Sequence, residues 1–324
     1  MNKRGFIFTF ISVVLISVLM LAFLIQYTSR TKTDIERTNT EVETMNSFVK
    51  SLNNDYLPRA LEISGSQAIY ALLNYTGDRE QYITQVDGEE EWDIKNVIVN
   101  AMVDGEYENG FGSGEHGDSL EIMISEGLSY KLNDTLEEIK NLGNATGITL
   151  VIDDVTDPNI KSHMNVFQQG PWDVSISMEI SYSILNKDGS VMWEYENKEI
   201  ITNISILNNF ADPVYMIADP NAEDDGILLT INKTTYDLPR EVDPHVENTN
   251  FLACNQAPSF LDRIQGKTDA SSYGIESMVN VKSNVLSAID YQYILGIGPQ
   301  LIEIWDSGYY IDSSHSDCYD LGDE

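Results

Sequence analysis

The stretch WDVSISMEISYSIL, residues 172–185, carries the clearest strand pattern in the chain. Apolar and polar side chains alternate along it. Because successive side chains of a strand point to opposite faces, this period of two predicts one buried face and one face in water. The side chains predicted to be buried are Val174, Ile176, Met178, Ile180, Tyr182 and Ile184. The turn signal NKDG (186–189) follows, and VMWEYENKEIITNISI (191–206) reads as the return strand or strands, so we expect an antiparallel sheet.

Helical patterns dominate the chain before this sheet. RALEISGSQAIYALLNY, from Arg59, and EWDIKNVIVNAMVDG (91–105) place apolar residues at helical spacing. A third helix is predicted from Ser119 to Leu142, with Asp118 as its N-cap and Gly143 as its stop. GITLVID (147–153) reads as a further strand and PSFLDRI (258–264) as a short helical turn. Because helices precede strands, we expect an α+β fold, with a mostly helical region over 58–145 and an antiparallel β-rich domain over 146–324.

The N-terminus carries a long apolar segment. Residues Phe6 to Ile25 read FIFTFISVVLISVLMLAFLI, twenty residues without a charge, which is long enough to cross a bilayer as a helix. A cleaved secretory signal has a shorter apolar core and a small-x-small site, whereas QYTSR follows here. The sequence therefore predicts a single retained transmembrane helix over 6–25 that contacts lipid. Basic residues lie on both sides of it, so their count leaves its orientation nearly balanced.

The apolar pattern continues beyond the predicted span as an amphipathic stalk over 26–57. An a/d seam with a period of seven residues is formed by Ile35, Val42, Val49 and Tyr56, with Met45 and Leu52 between them. No glycine or proline interrupts residues 6–57, so we expect one continuous helix that Pro58 ends. This seam could form a coiled coil or filament core, or it could pack on the globular part of its own chain.

The charge balance bears on the partners of this protein. Acidic residues number 52 and basic residues 19, which gives a formal net charge of −33. This charge repels phosphate backbones, so we expect no nucleic acid partner. It favours solubility, divalent cations and high salt, and its simplest interpretation is a solvated acidic surface.

The chain has two cysteines, Cys254 and Cys318. In a cytosolic protein they would be free thiols, whereas in an oxidising compartment they would form a disulfide that closes a loop of about 65 residues. We expect the disulfide, and with it an extracytoplasmic body. The scarcity of lysine and the N-x-S/T sequons, which permit N-glycosylation, favour the same orientation. These sequons begin at Asn74, Asn133, Asn144, Asn203 and Asn232.

Motifs for cofactors, metals and catalysis are weak. Gly112, Gly114 and Gly117 match G-x-G-x-x-G, but the preceding segment looks helical, whereas a dinucleotide site needs a strand–helix–strand unit. Metal-ligating residue types also occur near the C-terminus (Asp312, His315, Asp317 and Cys318), in VDPHVEN with His245, and in DPNAEDDG from Asp219. Their spacing suits neither a zinc nor a helix–loop–helix calcium site. The chain also lacks G-x-S-x-G, H-E-x-x-H and a phosphate loop. We therefore expect no cofactor, no metal and no enzymatic activity.

The leader Lys3-Arg4-Gly5-Phe6, the long first helix and the sheet together resemble type IV pilin-like proteins. The resemblance implies cleavage between Gly5 and Phe6, which makes residues 1–5 a short basic leader and Phe6 the mature N-terminus. Phe10 stands where many pilins have a glutamate. More broadly, the chain resembles uncharacterised archaeal cell-surface membrane proteins through the blocks RALEISGSQAIYAL, PWDVSISMEISYSI, ISILNNFADPVY and APSFLDRIQGKTDASSYGIESMV.

Three functions follow from these patterns. The first is a membrane-anchored, pilin-like cell-surface structural protein, filament-associated or adhesive, that associates with itself or with pilin-like partners through its N-terminal helix. The second is a monomeric extracytoplasmic ectodomain that binds a ligand or glycan, and the third is an extracytoplasmic hydrolase. A filament subunit should lose its first five residues, a binding module should display an aromatic cleft, and a hydrolase should bring carboxylates or histidines together in a pocket.

Overall fold

A computed structural model of the chain shows the architecture. The structure describes residues 18–27, 40–79, 82–83, 93–105, 107–108, 119–120, 131–187, 189, 191–218, 231–233, 250–279, 287–298, 300–304 and 309–319. The chain divides into two compact units, Met1–Asp55 and Tyr56–Glu324. It combines helices with an antiparallel sheet, so the predicted α+β class is confirmed.

The described part of the first unit is helical, over residues 18–27 and again from 40 onward. The apolar side chains of residues 18–25 are mostly exposed, and Phe23 is 70% exposed. Among the described residues, no helix combines the length and the apolar character needed to cross a membrane. Residues 6–17, which begin the predicted span, lie outside the described residues.

The predicted stalk seam is buried where the structure describes it. Met45, Val49 and Leu52 are buried, and Val42 is half-buried, whereas Ile35 lies outside the described residues. Phe48 is buried as well, although it falls outside the a/d positions. The buried face of this helix is therefore wider than the heptad pattern indicates, as expected for a helix with a broad apolar stripe.

The prediction that Pro58 ends this helix is wrong. A π-helical segment, Leu52–Tyr56, leads directly into helix α1, Leu57–Arg79, and Pro58 lies in the first turn of α1. A proline lacks the N–H group and its ring clashes with the carbonyl four residues earlier, so it breaks a regular helix interior. The first turn of a helix tolerates it, and the wider π turn before it replaces the regular hydrogen-bond ladder.

Two further helices come before and after a pair of short strands in the sequence. Helix α2, Ile94–Asp104, has Asp93 as its N-cap, which accepts a hydrogen bond from the Lys95 N–H, and it ends at Gly105 in the left-handed conformation. Strands β1, Tyr107–Glu108, and β2, Ser119–Leu120, pair antiparallel. Helix α3 spans Leu132–Thr146.

The predicted bounds of the third helix are therefore wrong. Its first two residues form β2, because their backbone groups pair with those of β1. Helix α3 starts after Lys131, continues past the predicted stop at Gly143, and ends at Gly147, whose φ of 79° suits a glycine cap. Asp118, the predicted N-cap, lies outside the described residues.

The main sheet has β5, Asp173–Leu185, at its centre. One edge of β5 pairs with β3, Thr149–Ile152, and β4, Met164–Gly170, and the other edge pairs along its length with β6, Val191–Ser205. All neighbours are antiparallel, and the Gly189 N–H donates to the Asn186 carbonyl at the predicted turn. The strands and turn predicted from residues 147–206 are confirmed.

The predicted inward face of β5 is buried throughout its length. The six apolar side chains from Val174 to Ile184 are each at most 3% exposed. Helix α1 packs on β6, and the backbone of Gly65 approaches Ile176 and Ile204 so closely that a β-carbon there would overlap their side chains. A glycine in mid-helix lowers helix propensity, so we infer that Gly65 serves this close contact.

The remaining chain forms a second core from short elements. Its strands are β7, Asn232–Lys233, β8, Asn250–Ala253, β9, Ile275–Glu276, β10, Leu301–Glu303, and β11, Tyr310–Asp312. The short helices of this second core are α5, Pro213–Ala218, α6, Phe260–Ile264, α7, Asp290–Ile294, and the 3-10 turn Ser316–Tyr319, whereas α4, Pro158–Lys161, lies between β3 and β4 of the main sheet. The core buries Val214, Leu252, Cys254, Ala257, Met278, Ala288, Ile289, Tyr291, Ile304, Ile311 and Tyr319.

A charge on the inward face of β5 should unfold the sheet. Ile180→Asp places a carboxylate without a partner at a site that is 1% exposed, and we expect a loss of about 3 kcal/mol or more in the free energy of unfolding. Ile201→Asp is the matched control, because Ile201 lies in β6 and is 44% exposed. Urea denaturation measures both variants, and equal losses would contradict the assignment of the buried face.

Candidate functional site: a buried charged cluster beside the disulfide

One arginine lies at the centre of the second core. Arg263 is fully buried, and its Nε donates to Asp212 Oδ2 at 2.7 Å while its Nη2 donates to Asp290 Oδ2 at 2.7 Å. Both carboxylates are fully buried too. Nη1 also donates to the Ile275 carbonyl at 3.3 Å. The guanidinium therefore joins α6, the start of α5, α7 and β9 at one point.

The short helices place these three charges. Ser259 and Asp262 form a capping box at the start of α6, so the predicted helical turn at 258–264 is confirmed. Asp212 caps α5 by accepting a hydrogen bond from the Val214 N–H at 2.9 Å, and Asp290 accepts one from the Tyr291 N–H at 2.6 Å. Each carboxylate thus satisfies a backbone donor as well as the arginine, which a buried charge requires.

One cation faces two acids in this cluster. Burial lowers the pKa of Arg263, but Asp212 and Asp290 outweigh burial and raise it above its ordinary value. Burial raises the pKa of Asp290 to about 7, against the opposing effect of Arg263 and with a further rise from Asp212. Desolvation and the neighbouring carboxylate therefore favour the protonated form of Asp290 more in the folded chain than in the unfolded chain.

A second charged pair lies beside the disulfide. His315 Nδ1 is 2.6 Å from Glu276 Oε2, and Glu276 is fully buried. On the other side of the imidazole, Nε2 lies 3.2 Å from the Tyr291 hydroxyl and 3.2 Å from Gln292 Nε2. Burial lowers the pKa of His315 but Glu276 raises it more, whereas burial raises the pKa of Glu276 despite its bond to His315.

The structure joins Cys254 and Cys318 in a disulfide, with their Cα atoms 5.4 Å apart. This separation lies within the range of about 4.4–6.8 Å that a disulfide spans. Cys254 Sγ is 3.8 Å from His315 Nδ1, so the bridge and the His315–Glu276 pair form one cluster. The bridge ties the C-terminal turn to the end of β8.

The metal-ligating types near the C-terminus do not converge as a group. His315 and Cys318 belong to the buried cluster, but Asp317 is exposed and Asp312 accepts a hydrogen bond from the Ser314 N–H at 2.7 Å. Sequence reasoning missed Arg263, Asp212, Asp290 and Glu276. The available signal was an arginine within the apolar turn FLDRI, because arginine is rarely fully buried without paired acids.

The other predicted sites are scattered. Among the sequons, Asn144 is exposed in the last turn of α3, Asn203 accepts a hydrogen bond from Ser175, and Asn74 and Asn133 are half-buried. The side chain of Asn232 and several candidate residues lie outside the described residues: Gly5, Phe6, Gly112, Gly114, Gly117, Asp219 and His245. Strands β1 and β2, which come before and after this glycine motif in the sequence, pair antiparallel, whereas a dinucleotide site needs parallel strands around a helix.

The side chains of this charged cluster are buried inside the fold. A histidine backed by a glutamate resembles a general base, but His315 is only 2% exposed. Two surface grooves lie elsewhere, one of about 470 Å³ between α2 and α4 and one of about 200 Å³ beside Tyr182 and Tyr195. The charged cluster is therefore closed to a molecule of substrate size in the folded, oxidised protein.

Comparisons with protein-family models, with curated proteins and with solved structures found no match to this chain. The fold and the site define an α+β protein whose second core contains buried charged side chains and a disulfide.

Removing the central cation should destabilise the body strongly. Arg263→Met leaves Asp212 and Asp290 buried without their partner, and we expect a loss of about 3–5 kcal/mol in the free energy of unfolding. Arg59→Met is the matched control, because Arg59 is exposed on α1. Chemical denaturation measures both variants. A loss below about 1 kcal/mol for Arg263→Met would show that the cluster contributes little, as is usual for exposed ion pairs.

Stability should fall as the pH rises. Folding raises the pKa of Glu276, Asp290 and His315, so the folded state binds more protons than the unfolded state. Their stabilising contribution is full below their unfolded pKa values, about 3.9 to 6.5, and is lost as the pH passes the folded values. We expect a lower melting temperature at pH 8.5 than at pH 6.

The share of His315 in this pH effect is measurable. His315→Gln should reduce the drop in melting temperature, and His163→Gln should not, because His163 is exposed. A melting temperature of the parent protein that rises between pH 6 and pH 8.5 would refute the protonation argument.

Proposed function

We propose that this chain is a membrane-anchored, pilin-like cell-surface structural protein with an extracytoplasmic body. The observation that carries the proposal is the Cys254–Cys318 disulfide. Disulfides persist in oxidising compartments and are rare in the cytosol, where thiol reductants keep cysteines reduced. Cys254 is buried in the second core, so the bridge forms part of the packed body.

The proposed anchor is the apolar run over residues 6–25. Within it, helical side chains such as Leu21, Phe23 and Leu24 are at least 60% exposed. Exposed apolar surface costs about 25 cal/mol per Å² in water, so a row of such side chains favours contact with lipid. A single span with the body outside the cytoplasm accounts for both the exposed helix and the disulfide. Membrane lipid is therefore the first proposed partner.

The pilin-like part of the proposal is self-association through the N-terminal helix. Its support is the leader Lys3-Arg4-Gly5 before an apolar helix. Phe10 replaces the acid that would pair with a neighbour's mature N-terminal amine, so assembly would rest on packing of apolar faces. A filament-associated or adhesive role follows from such packing, and it involves no catalysis.

A second candidate function is a ligand- or glycan-binding ectodomain. The observation that favours it is the groove of about 470 Å³, whose polar walls include Asn96, Asn100, Asp104, Lys161 and Ser162. Amide, carboxylate and hydroxyl groups are suited to hydrogen bonds with sugar hydroxyls. Val99 and Pro158 supply the apolar part of this groove, so it lacks the aromatic surface expected of a binding cleft.

The orientation of the body tests the first proposal. We expect external protease to remove an epitope placed after Glu324 from intact cells that express the full chain. A cytoplasmic marker protein must stay intact in the same sample. If the epitope is protected in intact cells and digested after lysis, the body faces the cytoplasm and the proposal is wrong.

The mature N-terminus tests the pilin-like part. We expect the protein purified from its own membrane to begin at Phe6, because a small Gly5 allows the backbone to enter a protease site. Gly5→Leu should block the cut, while Asn2→Leu, outside the cleavage site, should leave it intact. N-terminal sequencing distinguishes the products. A parent chain beginning at Met1 or Asn2 would leave only a tethered ectodomain.

A further inference from the structure

Four potential metal ligands meet beside the C-terminal turn. The sulfurs of Cys254 and Cys318 and a carboxylate oxygen of Glu276 all lie within 4.8 Å of one another. His315 Nδ1 lies 3.8 Å from Cys254 Sγ and 2.6 Å from Glu276 Oε2. In the oxidised protein both sulfurs are consumed by the disulfide, so they bind no metal in that form.

The donor set suits zinc once the two sulfurs are thiols. Zinc takes four ligands in a tetrahedron, with bonds of about 2.3 Å to sulfur and about 2.0 Å to nitrogen or oxygen. Ligand atoms of such a site are therefore about 3.3–3.8 Å apart. The Cys254–His315 separation of 3.8 Å already matches. Zinc binding requires two adjustments: the other sulfur moves from its bonding position to a similar distance, and the 2.6 Å between His315 Nδ1 and Glu276 Oε2 lengthens to about 3.3 Å.

The surroundings of His315 orient its ring for this role. A ligating histidine normally donates its other ring N–H to a neighbouring acceptor. Gln292 Oε1 is buried and has no hydrogen-bond partner among the described residues, while its amide nitrogen lies 3.2 Å from His315 Nε2. Amide oxygen and nitrogen are assigned from the hydrogen-bond network, and exchanging them lets Oε1 accept from the Nε2–H. Nδ1 then faces the sulfurs and Glu276.

We propose that, before its disulfide forms, this chain binds one Zn²⁺ through Cys254 Sγ, Glu276 Oε2, His315 Nδ1 and Cys318 Sγ. Binding displaces a proton from each thiol and the proton on His315 Nδ1, and no electron is transferred. Cys318 is partly exposed, so the ion reaches the site from the side of the C-terminal turn. The site goes beyond the proposed function and does not depend on it.

This site gives the body a second way to hold its C-terminal turn. The four ligands come from the end of β8, from β9 and from the turn that follows β11. The disulfide joins the first and last of these segments covalently, whereas zinc joins all three while the cysteines are reduced. The newly made chain can therefore dock its C-terminus before it is oxidised.

Cobalt binding to the full chain tests the site, because Co²⁺ in a tetrahedral thiolate site has intense visible bands that carboxylate-bound Co²⁺ lacks. The protein is reduced with a phosphine in detergent and titrated with Co²⁺, and then with Zn²⁺. We expect one Co²⁺ per chain with the tetrahedral thiolate spectrum, displaced by one Zn²⁺. The oxidised protein and the double variant Cys254→Ser, Cys318→Ser should not develop this spectrum.

Single variants separate the proposed ligands from bystanders. His315→Ala and Glu276→Gln should weaken Co²⁺ binding, and Gln292→Ala should weaken it by about tenfold, as loss of an orienting partner does. His163→Ala and Glu303→Gln, which are exposed, should bind as the parent does.

Circular dichroism checks the folded state at each step. If the reduced chain unfolds, recovery of its structure on adding Zn²⁺ supports the proposal. A reduced parent chain without the one-to-one thiolate spectrum, folded or unfolded, overturns it. An effect of His163→Ala equal to that of His315→Ala overturns it as well.

Discussion

The ion cluster of Arg263 with Asp212 and Asp290 is the constraint on which the second core depends. A buried guanidinium loses its hydration, and the loss is offset only when every donor is satisfied in good geometry. Here the acceptors come from the first residue of one short helix, the cap of another and a strand carbonyl. The rings of Phe251 and Tyr291 lie 5.7 and 5.9 Å from the guanidinium carbon and exclude water from the cluster. Elements of four to six residues are too short to be stable alone, so their arrangement depends on such shared contacts.

The disulfide and the His315–Glu276 pair extend this constraint to the end of the chain. Tyr291 joins the two clusters, because its ring flanks Arg263 and its hydroxyl meets His315. The second core therefore has a covalent link, an ion pair and a charged triad in continuous contact. The main sheet is stabilised in a different way. Strand β5 and its neighbours bury long rows of apolar side chains, and their backbone groups pair in regular hydrogen-bond ladders. The contrast follows from the length of the elements in each part.

The net charge and the apolar N-terminal run are both consistent with the proposed setting of the body outside the cytoplasm. A net charge of −33 keeps a folded body soluble and repels other polyanions, while the apolar N-terminal run favours lipid. A disulfide in the body agrees with an oxidising exterior. Burial raises the pKa values of Asp290 and Glu276, so the folded state takes up protons on these groups more readily than the unfolded state does. Each proton taken up also reduces the excess negative charge of the folded body.

The sequence by itself determined the parts of this protein that repeat locally. The alternation along β5, the NKDG turn and the Ser259–Asp262 cap are each encoded within a few neighbouring residues, so they could be predicted. The passage of the helix through Pro58 and the start of α3 at Leu132 could not, because a π turn and a β1–β2 pairing depend on what the backbone meets after folding. The residues of the candidate site were the hardest part of the structure to predict from the sequence. Asp212 and Asp290 are 51 and 27 residues from Arg263, and nothing in the local pattern distinguishes them among 52 acidic residues. Only the tertiary structure selected these two acids, since desolvation by the packed core makes their pairing with the buried guanidinium of Arg263 necessary.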